Sequence, residues 1–367
     1  MIDWARMYYL RDIPFVEFPS ISVFSKDERI NGRIFSLSGM EDAYQRLLSL
    51  IEREKGISYV LAESEVLGTG KSALMATVYW RCRKDEKLKK GILPVWVDVT
   101  DFRSITQLMG RVLDTLVFEQ VTDLIKAKIK DLSYASIDNF LSTEKRQRSP
   151  SVIFALSKIL SMPKEELPWK YVNIKRSIST VSAVEVFQYI MVLFRKVDSR
   201  RVLIFIDQFE EYVAHQSGAT KLRQLGDDVN DILRAIQECQ NVSFVLTLHP
   251  KTQRDFEQSA GPLINTFGTI KENSATVVSL KSEDLIEMAK TYIKQLRIPE
   301  TPKDLDPIYP FEEAALRYIA EKSGGIPRIY LRLLHNVMIE AALAEQKEIT
   351  LKFIKQPENL LRIGIED

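Results

Sequence analysis

Cysteine is nearly absent: Cys82 and Cys239 are the two in 367 residues. They lie far apart and outside any CxxC pair, which argues against a zinc site or a disulfide framework and fits a reducing compartment. Long hydrophobic runs are missing as well. Nowhere do about 18 apolar residues follow one another, so no membrane span is expected, and the charges within Met1 to Leu10 argue against a signal peptide. A cytoplasmic protein is the resulting expectation. Excess charge of one sign is also lacking, because 51 Lys and Arg face 50 Asp and Glu, and no whole-chain positive field marks nucleic acid as the partner. Internal repeats and low-complexity segments are absent.

What remains is the composition of a globular protein. Apolar residues at 45% and charged residues at 28% are enough to bury a sizeable core. The length exceeds the roughly 100 to 200 residues of one typical domain, so a core with a smaller partner domain is expected. Residues 1–55 read as a leading segment with an aromatic, proline-containing stretch around Pro14, Phe15 and Pro19, followed by a helix. Ser38 and Glu41 make a capping box for that helix, and Leu47, Leu48, Leu50 and Ile51 supply its apolar positions.

Residues 56–278 alternate strand and helix. Tyr59 to Ala62 reads as a buried strand, Lys71 to Arg83 as a helix, and Leu93 to Val99 as a second strand. About a hundred residues of helical pattern follow, an insertion over 102–195. Charged stretches at Arg81 to Lys90, Lys126 to Lys130 and Lys145 to Arg148 read first as solvated helix faces and second as a face for nucleic acid. Val202 to Asp207 is an apolar run stopped by an acid, the pattern of a buried parallel strand. An amphipathic helix with Val229, Ile232, Leu233 and Ile236 leads to the strand Val242 to Leu248. This alternation implies an α/β fold with helices on both faces of a parallel sheet. Residues 279–367 turn all-helical, over Asp284 to Leu296, Phe311 to Lys322 and Pro327 to Ala344, and read as a second domain.

The segment Glu65-Val66-Leu67-Gly68-Thr69-Gly70-Lys71-Ser72 stands between a predicted strand and a predicted helix, the context a phosphate-binding loop requires. Backbone N–H groups of the loop and of the helix start, from Gly68 through Thr69 and Gly70 to Ala73, would point at phosphate oxygens of ATP. Lys71 would sit on the β/γ-phosphates, and the Ser72 hydroxyl would ligate Mg²⁺. The pattern GxxxxGK[ST] asks for glycine where Glu65 stands. Either Glu65 turns outward, or the loop carries one extra residue and Ser64 takes the glycine's place.

Asp207, at the tip of the most apolar run, is the expected carboxylate for the magnesium hydration shell. Gln208 after it can position water but cannot take its proton at neutral pH, so Glu210 or Glu211 is expected to act as the base; capping of the next helix is the alternative for both. Thr247 and His249 close the next strand, where a sheet's carboxyl edge faces the ligand, and read as γ-phosphate sensors, or else as an inward-facing threonine and a loop histidine. Ser323-Gly324-Gly325-Ile326-Pro327-Arg328 separates two helices. Pro327 is pre-organised for a helix start, and Arg328 in that first turn calls for an anion, ATP phosphate or a surface carboxylate.

Together these residues resemble the AAA+ and STAND group of P-loop ATPases, in particular archaeal-type members with a short helical lid, from about Asn31 to Ile349. Asp207-Gln208-Phe209-Glu210-Glu211 is similar to the acidic motif of STAND ATPases. Gly325-Ile326-Pro327-Arg328 is similar to the lid motif that senses nucleotide, and Asn31-Gly32-Arg33 to the stretch near the adenine in initiator-like ATPases. The resemblance implies a P-loop NTPase core with sheet order 5-1-4-3-2 and a C-terminal helical lid closing over the nucleotide; Mg-ATP is the expected ligand, and whether the chain forms a nucleotide-dependent homo-oligomer stays open. No arginine lies near Asn265 to Thr269, where a ring-forming member would present an arginine finger, and the chain ends soon after the lid, so a winged-helix initiator is not expected. The expected function is an ATP-driven switch or remodeller acting on a macromolecular partner. A DNA-associated ATPase with local basic faces and a slow-hydrolysing scaffold are the alternatives.

Overall fold

A computed structural model describes residues 2–17, 21–32, 37–53, 56–63, 65–98, 105–118, 121–129, 131–141, 149–161, 183–215, 230, 237, 239–264 and 269–365. Five strands are β1 (Gly56–Ala62), β2 (Ile92–Asp98), β3 (Arg201–Asp207), β4 (Val242–Leu248) and β5 (Ser274–Val277). They form one parallel sheet in the order β2-β3-β4-β1-β5, which read from the other edge is the expected 5-1-4-3-2. The helices before β3 are α1 (Trp4–Tyr8), α2 (Glu41–Ile51), α3 (Lys71–Lys84), α4 (Glu86–Gly91), α5 (Ile105–Phe118), α6 (Val121–Lys128), α7 (Tyr134–Leu141), α8 (Pro150–Ser161) and α9 (Ala183–Val197). After it come α10 (Phe209–His215), α11 (Pro250–Ile264), α12 (Ser282–Gln295), α13 (Glu313–Lys322), α14 (Pro327–Leu343), α15 (Leu351–Ile354) and α16 (Pro357–Ile363). The expected helix around Val229 to Ile236 lies outside the described residues, apart from Asn230.

The chain divides into two compact units. One comprises Ser49–Val60 and Arg81–Ser274. Its center is β3, buried from Val202 to Asp207 because a central parallel strand has helices on both faces. Register Ile92↔Arg201 through Asp98↔Asp207 brings β2 and β3 to the same tip, and the rings of Trp96 and Phe205 stack at 6.0 Å across the pair. Helix α9 covers β4 with Phe187 on Phe244, centroids 6.2 Å apart, and itself packs against α5, α6 and α8 of the helical insertion.

The other unit comprises Met1–Leu48, Leu61–Trp80 and Ala275–Asp367. Helices α12 to α16 make a bundle whose apolar seam includes Leu285, Leu316, Leu334 and Ile354. The leading segment winds onto this bundle. Phe15 packs on Phe311 at 6.1 Å, Tyr8 donates its hydroxyl to the Gln346 carbonyl at 2.8 Å, and the Arg11 N–H reaches the Leu296 carbonyl at 2.9 Å. Helix α2 begins at Glu41, later than the capping box implies, and Ser38 donates its hydroxyl to Asp284 Oδ1 at 2.8 Å. Among the described residues no helix is long and apolar enough to cross a membrane.

Candidate functional site

The phosphate-binding motif is built in the unit that contains the helical bundle. Strand β1 ends at Ala62, and α3 opens when the Leu74 N–H bonds back to the Gly70 carbonyl at 2.9 Å. The N–H groups ahead of it, on Lys71, Ser72 and Ala73, belong to the first turn, where backbone donors point out of the helix N-terminus. Gly68 and Gly70 hold φ of 92° and 106°, backbone that a side chain resists, so glycine is required at both. Between them Thr69 is 2% exposed, and its hydroxyl bonds to none of the described residues. An enclosed hydroxyl and first-turn amides at a helix N-terminus form a donor set suited to anionic oxygens. Lys71 is 7% exposed, Ser72 half-buried, and Glu65 exposed. Ser64 lies outside the described residues.

The expected lid arginine is in the same unit and meets this loop directly. Pro327 starts α14, whose first turn has no side-chain cap, and the Arg328 N–H donates to the Gly68 carbonyl at 3.3 Å. A β-carbon placed on Gly68 would stand 2.5 Å from Arg328 Cβ and 3.1 Å from its Cδ, so the arginine stem lies over the glycine. Gly325, with φ of 78°, fixes the entry to α14: the Leu280 N–H bonds its carbonyl at 2.9 Å, and a β-carbon there would meet the Leu280 carbonyl at 2.5 Å. The Asn31-Gly32 stretch is anchored too. Trp80 donates its indole N–H to the Asn31 carbonyl at 2.6 Å, and Gly32 lies against Ala76 of α3. Arg33 lies outside the described residues.

The acidic strand end belongs to the other unit. Asp207 closes β3 at 1% exposure, and Gln208 follows with φ of 59°, a left-handed turn that starts α10 at Phe209. Such strain in a non-glycine residue concentrates at functional sites. Phe209 is wedged against Tyr212 at 5.6 Å and Phe256 at 5.7 Å, and Phe256 in turn meets Tyr59 at 6.2 Å. The turn sends the two glutamates to different places. Glu210 is half-buried and accepts the Thr247 hydroxyl hydrogen, whereas Glu211 is exposed. Thr247 also accepts the Phe209 N–H at 3.1 Å and has no exposed surface. His249 is half-buried, and its N–H goes to the Thr252 hydroxyl at 3.1 Å.

Sequence reasoning did not anticipate the Arg328–Gly68 seat or the Trp80–Asn31 bond, and it left open which of Glu210 and Glu211 is turned toward Thr247. A glycine tolerates φ > 0 and close approach alike, so its identity alone did not name the approaching residue.

No family model and no curated protein matches the sequence. Solved structures do match it in fold. The Aeropyrum pernix ORC2 protein in its ADP form superposes with a TM-score of 0.55 at 12% identity, over 98% of this chain and 73% of that one. Its ADPNP–ADP complexes give 0.53 at 11% identity, over 95% and 71%. Strand order and these neighbors show that the chain shares the fold of the Aeropyrum pernix ORC2 protein, an α/β fold with a five-stranded parallel sheet and a C-terminal helical part.

Proposed function

We propose that this chain binds Mg-ATP and hydrolyzes it, as a switch or remodeller that couples its nucleotide state to a macromolecular partner. Lys71 holds the β/γ-phosphates, Gly68 to Ala73 supply backbone N–H groups, and Arg328 and Pro327 bring the lid to the phosphates. The Ser72 hydroxyl and the Asp207 carboxylate are hard oxygen ligands that would hold Mg²⁺, directly or through its waters. Bound there, Mg²⁺ would neutralize charge on the β- and γ-phosphates. Glu210 takes the proton of the attacking water. Functionally, the division is then a core over 56–278 and a lid over 279–367.

The observation that carries this reading is the enclosed Thr69 hydroxyl beside buried Lys71, in a loop whose two glycines hold left-handed φ. Calorimetric titration with ATP and a phosphate-release assay test it. No ATP binding by the wild-type protein at millimolar concentration would overturn the assignment.

A second reading, contact with DNA, is favored by one surface. Arg81, Arg83, Lys84, Lys87, Lys89 and Lys90 are all exposed within ten residues that hold two carboxylates, Asp85 and Glu86. DNA affinity that falls steeply with salt would support it, and salt-independent or absent binding would remove it.

A further inference from the structure

We infer that Thr247 is a positioning residue that holds the Glu210 carboxylate for water activation, and not the γ-phosphate contact its place at the strand end suggests. The inference rests on the reading of Glu210 as the proton acceptor in hydrolysis. Three observations carry it. A phosphate sensor must present surface to the ligand, and Thr247 has none. An ionized phosphate oxygen needs a hydrogen-bond donor, and the single hydroxyl hydrogen of Thr247 already goes to Glu210 Oε2. The hydroxyl oxygen in turn accepts the Phe209 N–H at 3.1 Å, so side chain and backbone of the first turn of α10 are tied to one atom at the tip of β4.

The local chain explains why Glu210 is the residue held. Left-handed Gln208 ends β3 abruptly, and Phe209 is seated edge-on against the Phe256 ring of α11, which fixes the rotation of α10. With Phe209 buried, the next side chain turns to Thr247 and the one after it to solvent. Glu210 keeps part of its surface exposed, as a group that meets water must. In the step it serves, the water oxygen attacks the γ-phosphorus while its proton passes to the Glu210 carboxylate. The bond to the bridging oxygen breaks with its electron pair on ADP, and the proton later leaves to solvent. Thr247 acts on this step only through the carboxylate it holds.

The test is a mutant cycle on the full chain, with phosphate release for turnover and calorimetry for ATP and ADP affinity. Thr247→Val removes the donor and keeps the shape, and should lower kcat about 100-fold with KM and ATP affinity within about 3-fold of wild type. Thr247→Ser should restore turnover to within about 3-fold. In a Glu210→Gln background, Thr247→Val should cost nothing more, because the interaction is already broken. Unchanged kcat in Thr247→Val overturns the inference, and so does a loss of ATP affinity without loss of ADP affinity that adds to Glu210→Gln. Wild-type turnover in Glu210→Gln instead overturns the reading of Glu210 as the proton acceptor, on which the inference rests. If Thr247→Val does not fold, Thr247→Ala is read by the same criteria.

Discussion

The Arg328 main-chain N–H bonds to the Gly68 carbonyl at 3.3 Å, and the Arg328 stem lies where a β-carbon of Gly68 would be. One residue pair therefore joins the phosphate-binding loop to the first turn of α14. A methyl group on Gly68 faces two penalties, the left-handed φ of 92° and the 2.5 Å approach to Arg328 Cβ. Gly68→Ala should lose about 1 to 3 kcal/mol of stability, seen as a Tm several degrees lower. It should also weaken ATP binding. A variant with unchanged Tm would show that the arginine stem yields without cost.

Lys71→Ala should weaken ATP binding about 10- to 100-fold, because a charge-assisted contact is typically worth about 1.5 to 3 kcal/mol. The far-ultraviolet circular dichroism should not change. Calorimetry with ATP checks the first expectation, and equal affinity in the variant would sink the role given to Lys71.

The two glutamates of α10 should separate in turnover. Glu210→Gln is expected to lower kcat by about 100-fold or more, while Glu211→Gln, altering an exposed side chain, should stay within about 2-fold. Equal losses would mean that the turn at Gln208 rearranges when nucleotide binds.

Much of this arrangement was legible in the sequence. The Val202 to Asp207 run announces a central strand because only a strand covered on both faces is apolar at every position, and the lid helices fall within two residues of their periodic patterns. Strand β5 was not legible. It has four residues, Ser274 to Val277, and as an edge strand it alternates buried and exposed positions, a pattern too short to stand out. The packing of the leading segment was equally hidden, since Phe15 on Phe311 and Tyr8 on Gln346 join positions about 300 residues apart that no local periodicity records. Which glutamate faces Thr247 depends on one backbone angle at Gln208, and side-chain identity does not encode it.

Asp114 on α5 provides a pH-dependent prediction. Burial pushes its carboxyl up to about 7, partly opposed by the Arg111 guanidinium. The folded state thus holds a proton that the unfolded chain has released between about pH 4 and 7, and stability falls as pH rises through that window. Asp114→Asn should flatten this dependence and raise stability at pH 8 by on the order of 1 to 3 kcal/mol, discounted for partial exposure. Denaturant unfolding at pH 5 and pH 8 measures the difference, and identical pH slopes in both proteins would reject the assignment.

Arg328 tests whether the lid takes part in chemistry. Its main-chain N–H is committed to Gly68, so substitution of the side chain leaves that bond available while it removes the guanidinium. Pro327 and the Gly325–Leu280 bond should keep α14 in place, and the substitution is therefore expected to change charge at the loop more than architecture. If the guanidinium reaches phosphate only as charge develops in hydrolysis, its loss lowers kcat more than affinity. Arg328→Ala should then reduce kcat by about 100-fold and ATP affinity by less than about 10-fold, with Arg328→Lys between the two. ATP should also cease to compact the protein in solution scattering, whereas Lys71→Ala should lose compaction and turnover together through weakened binding. An Arg328→Ala protein that compacts and turns over as wild type does would assign this arginine to the surface, and would leave its seat on Gly68 as packing alone.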